Sequence, residues 1–262
     1  MKKILFILLV AIPVVFIGVW IAVPPDTVQG LLEDFGDGGP ITIQAMGFKK
    51  GLLYRFSADR LLVQHRQKPV VSFENVSLRI HPSSLITLRM RSSLNGETGG
   101  GEINGMLDLA KKETRAEIDL KGVQISEVPF FSKNGIEGSG ILSGTYTMIE
   151  EKGRLEFLVT DAKLKPVVLA GNTIPLNFFH TVRGYMDISN SELEDVSVSF
   201  EGEDIYARMK GKVQDAFANL AIEVMPEAGI AKNPLFLHEF KQYEVSPGYY
   251  VIPVRGPIAV SA

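Results

Sequence analysis

Three stretches share one pattern: NGMLDLA (104–110), SGTYTMI (143–149) and VRGYMDIS (182–189). In each, a glycine heads an alternation of apolar and polar residues. The glycines are Gly105, Gly144 and Gly184, spaced by 39 and 40 residues. An internal period of that size marks a repeated supersecondary unit, so the chain is read first as an array. Alternation with period two is the signature of a half-buried strand. Counting by twos puts Leu107 and Leu109, Tyr146 and Met148, and Met186 and Ile188 on the faces of their glycines.

The segments that follow keep the register. Ala116, Ile118 and Leu120 come 11, 13 and 15 residues after Gly105, and Leu155, Phe157 and Val159 come 11, 13 and 15 after Gly144. In the third unit Val196, Val198 and Phe200 come one residue later, an excess that the longer turn SNSELED (189–195) can absorb. Glu117 and Asp119, Glu156, Ser197 and Ser199 lie between them, and the tips AKKET (110–114) and EEKG (150–153) are polar. Each unit therefore reads as an antiparallel hairpin with one apolar face. A shorter fourth unit places Gly211 and Val213 opposite Leu220, Ile222 and Val224. A glycine on the apolar face either leaves room for a neighbour or marks a bend in the sheet.

The fold class is thus mainly β: a long, curved antiparallel sheet of repeated hairpins with a few short helices. ITIQAMGF (41–48), LLYRFSADRLLVQH (53–65), VVSFENVSLRIH (70–81) and SLITLRMRSSL (84–94) extend the sheet upstream. Little of the chain is left to cover the apolar face. DTVQGLLEDFG (26–36) predicts a helix capped by Asp26, SEVPFFSKNG (126–135) a short connector, and KNPLFLHEFKQY (232–243) a late helix. The apolar face is formed by Leu107, Leu109, Ile118, Leu120, Tyr146, Met148, Phe157, Val159, Met186, Ile188, Val198 and Phe200. Either the sheet folds on itself into a sandwich with a dry core, or it leaves an apolar groove.

The amino terminus sets the compartment. Ile4–Val23 carries no charge, and twenty residues at about 1.5 Å each span about 30 Å, the thickness of a bilayer core. The run is longer than a cleavable signal and lacks a small-x-small exit, so it predicts a retained anchor, with Trp20 at the interface. Lys2 and Lys3 precede it, and the next basic residue is Lys49. That asymmetry keeps the terminus cytoplasmic and exports the rest. In a Gram-negative cell, residues 1–25 are then the cytoplasmic tip and single-pass inner-membrane anchor, and 26–262 a periplasmic β-rich domain with repeats of about 40 residues.

Chemistry-bearing patterns are sparse. There are no cysteines, which excludes disulfides, thiolate nucleophiles and cysteine-held metals. His65, His81, His180 and His238 are scattered, without the spacing of metal ligands. Gly138-Ser139-Gly140 lacks the spacing of a nucleophile elbow, and Gly99-Gly100-Gly101 lacks the Lys-Ser/Thr of a phosphate loop. Glu150-Glu151 sits in a predicted tip. The reading is of a non-enzyme with no cofactor and no metal. The net charge of −3 does not point to nucleic acid, but the charge is polarised. Residues 48–91 hold nine Lys/Arg against Asp59 and Glu74, a net of +7. Such a segment is either the solvated faces of strands or a basic face for anionic headgroups or an acidic partner.

SFENVSLRIHPSSLITLRMRSSLNGETGGGEINGMLDL (72–109) and GIEGSGILSGTYTM (135–148) resemble the periplasmic part of the type II secretion system protein N (GspN) family, in its Geobacter-like form. They are also similar to the wider AsmA-like group, in which a membrane anchor precedes repetitive β-hairpins. YYVIPVRGPIAV (249–260) follows the same pattern. The resemblance implies a non-catalytic inner-membrane component of type II secretion, partnered by other secretion subunits. The AsmA-like relatives imply instead the handling of lipid along a β-groove. Neither supplies catalytic residues.

Overall fold

The computed structural model describes residues 20, 23–34, 41–52, 54–85, 87–111, 113–169, 172–189, 192–215, 217–227 and 240–257. The elements, in chain order, begin with α1 (Pro25–Asp34), β1 (Ile41–Met46), β2 (Lys49–Lys50), β3 (Arg55–His65) and β4 (Lys68–His81). Next come α2 (Pro82–Leu85), β5 (Arg89–Thr98), β6 (Gly101–Ala110), β7 (Glu113–Gln124), α3 (Pro129–Lys133), β8 (Gly138–Ile149) and β9 (Lys152–Leu164). The remainder are β10 (Val167–Leu169), β11 (Asn172–Ile174), β12 (Phe179–Ser189), β13 (Glu192–Gly202), β14 (Ile205–Gln214), β15 (Phe217–Pro226), β16 (Glu244–Ser246) and β17 (Tyr249–Pro257).

Fifteen strands form one sheet in the order β1-β3-β4-β5-β6-β7-β8-β9-β12-β13-β14-β15-β17-β16, with β2 beside β1 on the edge of β3. Every pairing is antiparallel. From β3 to β15 the sheet is a meander, interrupted by the β10–β11 hairpin, which forms a separate two-stranded sheet; at the far edge β15 pairs with β17 and β16 lies outside it. The four repeat units are β6–β7, β8–β9, β12–β13 and β14–β15. Gly105 pairs with Ile118, Gly144 with Phe157, Gly184 with Val198 and Gly211 with Leu220.

Several local expectations need correction. The repeat glycines do not open their strands; each lies in the interior of one, because the ladder continues on its amino-terminal side through residues such as Ile103, Leu142, Val182 and Met209. The extra residue of the third unit is taken up within the ladder, where the register shifts between Asp187↔Asp195 and Ile188↔Leu193, rather than in the turn. Asp26 lies in the first turn of α1, one residue after Pro25, so it meets the positive end of the helix without being its cap. Residues 82–85 form α2 instead of strand. Pro82 suits a first helical turn, and Ser84 holds the corner by donating to the His81 carbonyl at 2.6 Å and accepting from the Arg91 amide at 3.1 Å.

The late helix of 232–243 falls largely outside the described residues; within them Lys241–Tyr243 is a 3-10 turn. The apolar run Ile4–Val23 also lies outside them, apart from Trp20 and Val23. No helix among the described residues is long and apolar enough to cross a membrane.

Bulges bend one end of the sheet. Register shifts between Leu120/Val123 on β7, Ser139/Ile141 on β8 and the facing residues of β9 lie side by side. Gly122 (φ 71°) and Asp161 (φ 51°) supply the left-handed conformations there. Beyond this line Val123, Ile125, Ala162 and Leu164 turn into the core, all with exposures of 7% or less.

Candidate functional site

The apolar face is built as lateral rows, each strand contributing one residue per row. One row runs Leu94, Gly105, Ile118, Tyr146, Leu155, Met186, Val196, Gly211, Leu220, Val254. The next runs Ile103, Leu120, Gly144, Phe157, Gly184, Val198, Met209, Ile222, Ile252. Val123, Leu142, Val159, Val182, Phe200, Ala207, Val224 and Tyr250 form a third, toward the bent end. Leu107, Ala116, Met148, Gly153, Ile188, Leu193 and Val213 form a fourth, toward the hairpin tips. Leu109, paired with Met90 and Thr114, extends the face beyond it. All twelve residues of the expected apolar face thus share one side of the sheet.

They do not share one environment. Val159, Val198 and Phe200 are buried, whereas Leu107, Leu109, Ile118, Leu120, Tyr146, Met148, Phe157, Met186 and Ile188 are half-buried. The difference follows from what covers them. Over β12–β15 and β17 lie Ile174, which ends β11, Leu176 just after it, and Phe240, which is 2% exposed. These segments close a dry core around Phe179, Phe200, Ile222 and Val224, with an apolar void of only about 10 Å³. Burying a side chain of this size stabilises by about 1.5–3 kcal/mol. Over β6–β9 no comparable cover exists among the described residues. Among the described residues the face is therefore part dry core, closed by these segments and not by the sheet folding on itself, and part half-buried lane.

The glycines make space in the lane. A Cβ at Gly184 would lie 3.1 Å from Cζ of Phe157 and 2.7 Å from the Ser197 carbonyl. One at Gly144 would lie 2.7 Å from the Glu156 carbonyl and 3.3 Å from Cβ of Phe157. Phe157 sits between these two glycines in its row. In the same way Tyr146 lies across Gly153, whose Cβ would come 2.7 Å from the phenol oxygen. At Gly105 the nearest atom is Cβ of Leu94 at 3.4 Å, an ordinary contact.

The opposite face is polar and charge-paired. Arg154 stacks on Tyr185 at 4.5 Å and pairs with Asp187 at 3.1 Å. Arg183 pairs with Glu201, and an open depression of about 700 Å³ is lined by Arg183 and Tyr185 together with Glu156, Ser197, Ser199 and Arg208. Asp108, only 5% exposed, is clasped by two arginines: Arg91 Nη2 donates at 2.8 Å and Arg89 Nε at 3.0 Å. Hydrogen bonds from Arg91 and Arg89 hold the Asp108 carboxyl below the ordinary carboxylate range. The sequence reading missed this clasp, although Arg-x-Arg at 89–91 facing a lone aspartate on an apolar strand was its signal.

His81 Nε2 lies 3.4 Å from Ser93 Oγ, and His180 Nδ1 lies 3.0 Å from Thr181 Oγ1. His65 ends β3, and His238 lies outside the described residues. Gly138–Gly140 opens β8, Gly99 and Gly100 form the β5–β6 turn, and Glu150 and Glu151 form the β8–β9 tip. No group of His, Cys, Asp and Glu among the described residues is arranged to hold a metal ion. No family model, curated protein or solved structure matches the chain.

Proposed function

We propose that this chain is a non-catalytic component of the type II secretion system, anchored in the inner membrane through Ile4–Val23 with residues 26–262 in the periplasm. The observation that carries this reading is the resemblance of 72–109 and 135–148. Those stretches make up most of β4, β5, β6 and β8, close together in the sheet. The partners are other secretion subunits, met along the open part of the apolar face. Purification of the tagged full chain from membranes of its host is expected to bring down secretion subunits, and recovery of none would count against the reading. Alkaline phosphatase fused after Ala262 is expected to be active; an inactive phosphatase fusion alongside an active cytoplasmic reporter would reverse the topology.

A second reading, the binding or transfer of lipid, is favoured by the half-buried lane of Ile118, Tyr146, Leu155 and Met186. An acyl chain gains about 0.8 kcal/mol for each methylene it buries there, before ordering costs. A photo-crosslinking residue at Ile118 in the full chain, in cells fed labelled phosphate, distinguishes the two. Lipid adducts at this position and none at Glu117, on the polar face, support lipid binding. Protein adducts alone support the secretion partner.

A further inference from the structure

We propose that the corner of the sheet formed by the β2–β3 turn, the end of β4 and the α2–β5 turn is a docking site for an anionic phospholipid surface. It would be held against the same bilayer that Ile4–Val23 spans. The proposal rests on that run being a membrane anchor, but on neither reading of the apolar lane.

Two leucines project from this corner. Leu52, in the β2–β3 turn, and Leu88, in the α2–β5 turn, are 85% and 87% exposed, the most exposed large apolar residues in the described structure. The turns are neighbours, because Arg55 pairs with Arg79 and Arg91 with His81 in adjoining ladders. Tips farther along the same end carry Lys111, Glu150, Glu151 and Asp215, which are the residues water favours. A pair of leucines at tips is instead what an interface takes into its acyl boundary.

The charge beside them is positive and incompletely matched. Arg55 and Arg79 stand directly opposite each other on β3 and β4. Like charges so placed repel, and neither guanidinium has an ion pair or side-chain hydrogen bond among the described residues. Arg89 and Arg91 share the carboxylate of Asp108, and Glu113, the other acid acting on Arg89, is itself paired with Arg115, which leaves one positive charge over. A phosphodiester placed here relieves the repulsion and accepts paired N–H bonds from a guanidinium.

The anchor ends at the same corner. Trp20 is buried against Tyr54 and Phe56, with ring centroids 4.6 and 4.9 Å away, and its indole N–H donates to the Gly51 carbonyl at 3.1 Å. Lys50 donates to the carbonyls of Trp20 and Val23 and lies over the indole. These contacts fix the end of the apolar run to the β2–β3 turn. A bilayer crossed by that run therefore presents its headgroups to Leu52, Arg55, Arg79 and Leu88. This continuity, together with the exposed leucines, favours a lipid surface over an acidic protein.

The chain has no cysteine, so single labelling sites are simple to introduce. The full chain carrying Leu52→Cys, Leu88→Cys or, as the distant control in the β13–β14 turn, Glu203→Cys is spin-labelled and placed in nanodiscs. The discs hold phosphatidylcholine alone or phosphatidylcholine with phosphatidylglycerol. Collision rates with oxygen and with a nickel chelate report depth. In the anionic discs, labels at 52 and 88 are expected to gain oxygen collisions and lose nickel collisions, while the label at 203 stays open to nickel in both. Adding Arg55→Gln and Arg79→Gln should return position 88 to its nickel access in neutral discs. Nickel access at 52 and 88 equal to that at 203 overturns the proposal. So does the same immersion in both lipid compositions, which would remove the headgroup role. Shielding of both positions from an impermeant maleimide in cells, with none in nanodiscs, would assign the corner to a protein partner and overturn the lipid assignment. Failure of the chain to enter nanodiscs overturns the anchor, and the proposal with it.

Discussion

Gly184 and Gly105 hold equivalent places in their repeats, yet a methyl group would meet very different surroundings at each. At Gly184 it would press on the Ser197 carbonyl at 2.7 Å and the Phe157 ring at 3.1 Å; at Gly105 nothing comes closer than 3.4 Å. Gly184→Ala should therefore destabilise the full chain by about 1–3 kcal/mol, and Gly105→Ala should stay within about 0.5 kcal/mol. Urea unfolding in micelles measures both; equal losses would mean that these glycines serve the backbone and not the space beside it. Neighbouring side chains test the faces. Phe157→Asp sets a charge without a partner in the apolar row and should destabilise clearly. Glu156→Ala removes only an exposed contact to Arg154 and should stay within about 0.5 kcal/mol. If these two outcomes are exchanged, the register is off by one and the faces are reversed.

Covering elements, more than strands, decide which part of the apolar face is core. Phe240 is 2% exposed and seals the rows from β13 to β17, so Phe240→Ala should cost about 3–5 kcal/mol. Ile118 lies on the open lane, and Ile118→Ala should cost less than about 2 kcal/mol in the same denaturation assay. A greater loss at Ile118 than at Phe240 would mean that the lane is covered. The Asp108 clasp joins β5 to β6 and carries a pH dependence. Its folded carboxyl titrates below the unfolded one because Arg91 and Arg89 bond the charged form. The stabilisation is thus full above the ordinary carboxylate range and fades as the pH falls through the folded value. Asp108→Asn should flatten that acid limb, and thermal melts between neutral and strongly acid pH would show it; an unchanged limb would remove Asp108 as its source. The strands and their faces were legible in the sequence because alternation reports burial directly, and Gly144, Phe157 and Met186 fell in register from spacing alone. The cover was not legible. VVL and NTI are too short for a periodic signal, and the value of Leu176 and Phe240 comes from contacts distant in sequence.

For the whole molecule, the sheet runs from a basic corner beside Trp20 to a dry core near the carboxyl end, with the open lane between. In the proposed secretion role the lane is the working surface. The direct test is to delete the gene in its host and follow type II substrates between periplasm and medium. The account predicts that substrates are retained in the periplasm, and that export is restored by the wild-type chain and by Glu156→Ala. Ile118→Ala, which trims the lane at little cost in stability, should accumulate as folded protein yet restore export poorly. Unchanged export in the deletion strain would contradict the account.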